Sequence, residues 1–279
     1  MTERLRAIPE GFDAATLGGI DARLLAIRKE HRVALGFAIE SGSRAWGFPS
    51  PDSDYDCRFV FVRPACDYLT PWPKRDVIET PLEGEFDVNG WDLPKALKLL
   101  LKGNAVVVEW LMSPILYDGH PSFRDELARL ARDHADRDAL SRHYLHLGRR
   151  QRATYFADGK DVPLKKLFYA LRPAAALRWL RFRPEASVAP MHFPTLMAQC
   201  DAPEAVRALT AELIARKAVT RELGAGPLPS PIEQFIDAEF ALAEETVPSA
   251  PRRLSPEAKS DAEAFFRHWV ERLGSTSRD

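Results

Sequence analysis

The stretch Gly42–Val62, GSRAWGFPSPDSDYDCRFVFV, decides how the chain is read. It runs from a Gly-Ser turn, through a proline-broken loop, to aspartates at every second position (Asp52, Asp54 and Asp56), and then into the apolar run RFVFV. A run of that kind is expected as a strand buried in a sheet. Carboxylates crowded at the mouth of such a strand repel one another when ionised, unless a cation neutralises them. Side chains at i and i+2 of a strand share a face. Asp54 and Asp56 are therefore expected side by side, with Tyr55 and Cys57 facing the other way. Hard divalent ions, Mg²⁺ above all, take a few carboxylate oxygens and fill their remaining positions with water and substrate phosphates. The DxD pair thus suits the presentation of a metal-bound triphosphate, whereas Asp52 reads as a turn or capping residue of the loop.

Working outward, VALGFAIE (Val33–Glu40) is expected as a strand ending at the Gly-Ser turn, preceded by a helix over Ile20–His31. Val77–Thr80 and Glu85–Asn89 flank a turn at Glu83-Gly84 and predict a hairpin whose second strand carries Asp87. Asp87, set between Phe86 and Val88, is the candidate third carboxylate; Glu85 lies on the same strand face and is the alternative. Three carboxylates would admit a second metal, one ion activating a hydroxyl and the other stabilising a leaving pyrophosphate. A Gly-Ser turn that opens a short helix can aim backbone N–H groups and a hydroxyl at phosphate oxygens, which nominates Gly42 and Ser43. Asp92 is expected to cap the helix LPKALKLLLKG, which closes at Gly103.

The whole chain sets the bounds. A formal net charge of -1 over 279 residues excludes a generally basic nucleic-acid binder, so contact with a polyanion needs a local patch. Cys57, Cys66 and Cys200 are odd in number and lack CxxC spacing, which suggests neither a disulfide framework nor a zinc site. The N-terminus is too polar for a secretory signal and no apolar run spans a membrane, so a cytoplasmic location is expected. From Pro121 the pattern turns helical and arginine-rich, which places the expected boundary between a mixed half, 1–120, and a helical half, 121–279, its tail GSTSRD frayed. In the helix over LKKLFYALRP, Lys165, Tyr169 and Arg172 share one face, with Lys166 beside them. A lysine and an arginine there are candidates to hold β- and γ-phosphates, and which lysine points inward stays open. Arg44 adjoins the Gly-Ser turn as a further phosphate candidate. The run Arg149, Arg150 and Arg152 is the densest basic cluster, a solvated face or a track for an RNA backbone.

Strand, GS, and a DxD some ten residues on resemble the signature of the DNA polymerase β-type nucleotidyltransferase superfamily. More narrowly, GSRAWGFPSPDSDYDCRFVFV, FDVNGWDLPKALKLLLKGN and VVEWLMSPILY look like the branch of nucleotidyltransferases found beside RNA ligases and linked to RNA repair. The resemblance covers Gly36–Tyr117, and LKKLFYALRPAAALRWL more loosely. It implies an α+β fold: a mixed sheet bearing the metals, helices behind it, and a helical C-terminal region closing over the nucleotide. Carried over, Gly42 and Ser43 would contact the triphosphate, and the looser match favours Lys166 and Arg172 for the same role. Asp54, Asp56 and Asp87 would bind two Mg²⁺ (or Mn²⁺) ions, Asp87 acting on the incoming hydroxyl. The implied reaction moves a nucleoside monophosphate from an NTP to a hydroxyl, an RNA 3′ end being favoured, with an RNA ligase as functional partner. Modification of a protein or small molecule, and silent binding of nucleotide or RNA, are the competing expectations. Where branch members carry KSNP this chain has KGNA, Lys102–Ala105, a change at a helix junction that removes no carboxylate.

Overall fold

A computed structural model describes residues 5–156, 162–221, 223–250 and 253–275. The first half runs α1 (Ala14–His31), β1 (Ala34–Glu40), α2 (Ser43–Trp46), β2 (Tyr55–Val62), β3 (Val77–Glu79), β4 (Phe86–Asp92), α3 (Leu93–Leu101), α4 (Ala105–Leu111) and β5 (Leu116–Gly119). The second runs α5 (Pro121–His134), α6 (Arg137–Tyr155), β6 (Val162–Pro163), α7 (Leu164–Phe182), α8 (Phe193–Gln199), α9 (Glu204–Val219), β7 (Ala225–Gly226), α10 (Ser230–Thr246) and α11 (Pro256–Gly274). Beyond Ser275 the tail expected to fray lies outside the described residues. No described helix is long and apolar enough to cross a membrane.

The five-stranded sheet has the order β3-β4-β2-β1-β5. β2 and β4 run parallel, while β1–β2, β1–β5 and β3–β4 are antiparallel, so the sheet is mixed and the chain is α+β. The hairpin expected over Val77–Asn89 is the β3–β4 pair, with Glu79 opposite Asn89. RFVFV is apolar at both parities because β2 is central and covered on both faces. Phe59 and Phe61 pack toward Ile20 and Leu24 of α1, whereas Val60 and Val62 pack toward Leu93, Leu97 and Leu100 of α3 and Trp269 of α11.

The composition break at His120 coincides with the end of the sheet, but the helices beyond it do not form one separate body. Phe123 and Leu127 of α5 and Phe265 and Trp269 of α11 share the core of the sheet. The second core is built from α6, α7 and α10, and Phe48, from the loop after α2, is buried within it. Its ring stacks on Phe168 at 4.5 Å between centroids and meets Phe193 edge-on. The loop that carries Asp52 and Asp54 is therefore bolted to the helical half by a side chain of the first half. Asp92 does stand at the N-terminus of α3, yet it makes no capping bond. Its carboxylate instead accepts from Tyr68 Oη at 2.6 Å and Arg63 Nε at 3.1 Å.

Candidate active site

Gly42 has φ 89° and ψ -155°, a region that residues with a side chain avoid. It opens the short helix α2, whose Ser43 hydroxyl donates to Ser53 Oγ at 2.9 Å. Ser53 also accepts from the Ser50 N–H, so the loop between α2 and β2 is closed on itself by hydroxyls. Arg44, expected on phosphate, fastens that loop: its Nε donates to Asp54 O at 3.2 Å, its Nη2 to Ser53 O at 2.5 Å, and its head lies 3.8 Å from the Tyr55 ring centroid. Arg44 thereby sets where Asp54 leaves the loop.

Asp54 is exposed immediately before β2, and Asp56 is half-buried within it. The parallel register sets Asp56 against Asp87. This distinguishes the two candidates on β4: Asp87 meets Asp56, whereas Glu85 is exposed ahead of the strand and offers only its carbonyl to the Tyr55 N–H. Arg58, two residues after Asp56, bridges the pair, 3.1 Å from Asp56 Oδ1 and 2.6 Å from Asp87 Oδ2. Burial raises the Asp56 carboxyl above the ordinary range; Arg58 lowers it, and Asp87 and Asp54 push it up again.

Glu40, at the end of β1, is fully buried behind these groups. It accepts from the Asp56 N–H at 3.0 Å and from the Tyr117 hydroxyl. Burial pushes its carboxyl up to about 7, against the lowering effect of those two bonds.

Asp54, Asp56 and Arg58 open onto a cavity of about 490 Å³, together with Gly42, Ser43 and Trp46. The opposite wall is cationic: Lys165 and Lys166 from α7, Lys217 from α9, and Arg221. Lys166 lies between two rings, 5.1 Å from the Tyr155 centroid and 4.9 Å from that of Tyr169. Lys217 is buried and donates to Phe48 O at 2.8 Å, and burial lowers its ammonium pKa. Asp52 also lines the cavity; its carboxyl is held low by a bond from Ser50 and by the charges of Lys165 and Arg221.

Arg172 lies apart from that lining. It is buried, pairs with Glu109 at 2.9 Å and lies 4.2 Å from the Trp46 ring centroid, so it supports the cavity wall from behind. Arg149 and Arg152 pair with α10, through Glu244, Asp237 and Glu233. A larger cavity of about 850 Å³ between α3, α6 and α11 shares no lining residue with the carboxylate site.

Four residues that matter here were not singled out from the sequence: Glu40, Arg58, Lys217 and Arg221. Lys217 did leave a signal. With Val206, Thr210 and Leu213 it completes the buried stripe of α9, so a lysine stands where the period asks for an apolar residue. Glu40 and Arg58 left no comparable signal.

Among the described residues no group of three or more His, Cys, Asp or Glu side chains is already gathered to hold a metal ion. The chemistry of the donors nevertheless fits a hard dication: oxygen ligands only, with like charges that raise the Asp56 carboxyl. In comparison with known proteins, residues 19–268 match the family described as RNA repair pathway DNA polymerase beta family. The chain is also 36% identical over 236 residues to the uncharacterized protein YcgL of Bacillus subtilis (strain 168), an alignment covering 85% of this chain and 88% of that one.

Proposed function

The chain belongs to the RNA repair pathway DNA polymerase beta family, and from that premise we propose that it transfers a nucleoside monophosphate from an NTP to a hydroxyl, releasing pyrophosphate. The observation that carries this reading is the single cavity lined on one side by Gly42, Ser43, Asp54 and Asp56 and on the other by Lys165, Lys166, Lys217 and Arg221. Carboxylates facing cations across a space of nucleotide size suit a substrate that brings both phosphates and a metal. Asp54 and Asp56, with Asp87, would hold Mg²⁺ or Mn²⁺, which supplies Lewis-acid activation of the hydroxyl and neutralises charge on the leaving pyrophosphate.

The residues of the chain do the remainder. The Ser43 hydroxyl and the cations of α7 and α9 hold the triphosphate, so its α-phosphorus is presented to the acceptor. The acceptor oxygen forms a bond to that phosphorus, the bond to the bridging oxygen breaks, and pyrophosphate leaves with the electron pair. Asp87 takes the proton that the hydroxyl gives up. An RNA 3′ end is the favoured acceptor on family grounds, and an RNA ligase sealing the same ends is the partner in keeping with it.

The test is incubation with each labelled NTP and Mg²⁺ or Mn²⁺, with RNAs in one set and total cell protein in another. Label on RNA that disappears in Asp54→Ala is the expected result. Label confined to protein would replace RNA with a protein acceptor. Nucleotide binding with no transfer at all would make the chain a sensor and overturn the reading.

A further inference from the structure

Arg58 sets one guanidinium against two of the candidate metal-holding carboxylates. One guanidinium nitrogen, Nη2, donates to Asp56 Oδ1 at 3.1 Å and to Asp87 Oδ2 at 2.6 Å. The other, Nη1, donates to the carbonyls of Cys57 at 3.1 Å and Asp87 at 2.7 Å. The second oxygen of Asp87, Oδ1, accepts from Asn89 Nδ2 at 2.5 Å. Both oxygens of Asp87 are therefore engaged, whereas no side chain among the described residues donates to Asp56 Oδ2 or to the Asp54 carboxylate.

We infer that Arg58 is the resident counter-cation of this site and withholds Asp87 from a divalent ion until nucleotide draws the guanidinium away. The inference rests on the metal-dependent reading given above. Asp87 would have to hold an ion with the oxygens that Arg58 and Asn89 now engage, so guanidinium and ion would compete for this carboxylate. The anchorage of Nη1 on two carbonyls keeps the head group at the site when Nη2 lets go. Arg58 lines the cavity, and its planar fork matches a phosphate as well as it matches a carboxylate. Asp54 and the open oxygen of Asp56 would thus be free to hold a divalent ion first, and Asp87 would become free to join them once the triphosphate has taken Arg58. Such an order keeps the full set of carboxylates from assembling around an ion before the substrate is present.

A guanidinium that merely stabilised the fold would make no such demand on metal affinity. Mn²⁺ binding to the full chain, followed by electron paramagnetic resonance without nucleotide, separates the two roles. Arg58→Met is expected to bind Mn²⁺ about tenfold tighter than wild type or better, the scale of one charge-assisted hydrogen bond. That gain is expected to vanish in the double variant R58M/D87N. Asp87→Asn alone is expected to stay within about threefold of wild type, because a withheld ligand contributes little. In the presence of a non-hydrolysable NTP analogue, D87N is expected to lose affinity for Mn²⁺. R58M that is folded by circular dichroism yet binds Mn²⁺ no tighter overturns the inference alone. Should R58M fail to fold, D87N decides: a loss of about tenfold without nucleotide overturns the inference. No Mn²⁺ bound by wild type, with or without nucleotide, overturns both this inference and the metal-dependent reading.

Discussion

The backbone of Gly42 leaves the space that one oxygen of Asp56 occupies: a Cβ at position 42 would lie 2.2 Å from Asp56 Oδ2. The turn and the carboxylate are thus fitted to each other, and the positive φ at Gly42 strengthens the demand for glycine. Gly42→Ala must strain the backbone and displace a charged group at once. A loss of roughly 1–3 kcal/mol in stability is expected, with nucleotide binding abolished. Denaturant unfolding together with a nucleotide titration checks this; wild-type values in both would refute the fit.

Glu40 makes stability depend on pH. Its folded-state carboxyl sits at about 7 against an ordinary 4.5, so the folded chain binds the proton more tightly than the unfolded one. The stabilisation is fully present below the unfolded value and is lost as pH rises through the folded one. Each tenfold difference in proton affinity is worth about 1.4 kcal/mol, so the swing is on the order of 3 kcal/mol. Glu40→Gln can still accept from the Asp56 N–H and can donate to the Tyr117 oxygen. Unfolding curves at pH 5, 6, 7 and 8 should show E40Q gaining on wild type as pH rises. Parallel pH profiles would exclude a perturbed Glu40.

Lys217 is a buried cation whose hydrogen bond within the described residues goes to a backbone carbonyl, which leaves its charge facing the cavity. Lys217→Met keeps the volume and removes the charge. Affinity for an NTP is expected to fall by about tenfold or more, on the scale of a charge-assisted hydrogen bond to phosphate. Relief from burying an ammonium offsets the lost bond to Phe48, so stability should shift by less than about 2 kcal/mol. Calorimetric titration reads the first effect and thermal unfolding the second. Unchanged affinity would remove Lys217 from the phosphate wall.

Arg172 and Glu109 form a buried pair beneath Trp46, with Tyr144 Oη donating to Glu109 Oε1 at 3.2 Å. Breaking such a pair leaves one charge uncompensated in the interior. Arg172→Met should cost about 3–5 kcal/mol, and the double change R172M/E109Q clearly less than the sum of its single costs. A double-mutant cycle in denaturant measures this coupling, and additive costs would show the pair to be energetically idle.

Much of this was legible in the sequence because the relevant rules are local. Alternation along a strand needs no partner, so Asp54 and Asp56 could be placed on one face from RFVFV and the spacing before it. Phe48 marks the limit of local rules: nothing near it told that its partners would be Phe168 and Phe193. Arg44 and Arg172 were harder. Each is a long cation near the right motif, and whether it faces phosphate or a protein acceptor depends on neighbours that the motif does not contain. Arg58 was hidden at the head of an apolar run, and nothing in that run marked it as a partner for carboxylates.

The sequence by itself determined the strand–turn–strand order and the shared face of the DxD pair. Each follows from backbone sterics or from the two-residue period of an extended chain. Only the tertiary structure decided that Asp87 and not Glu85 meets Asp56, since that rests on the register between β2 and β4. It also decided that Arg58 bridges the pair, and that Lys217, 169 residues after Phe48, completes the opposite wall. Register and helix docking are set by which apolar side chains can be buried together across the whole molecule, and no short stretch of sequence holds that information.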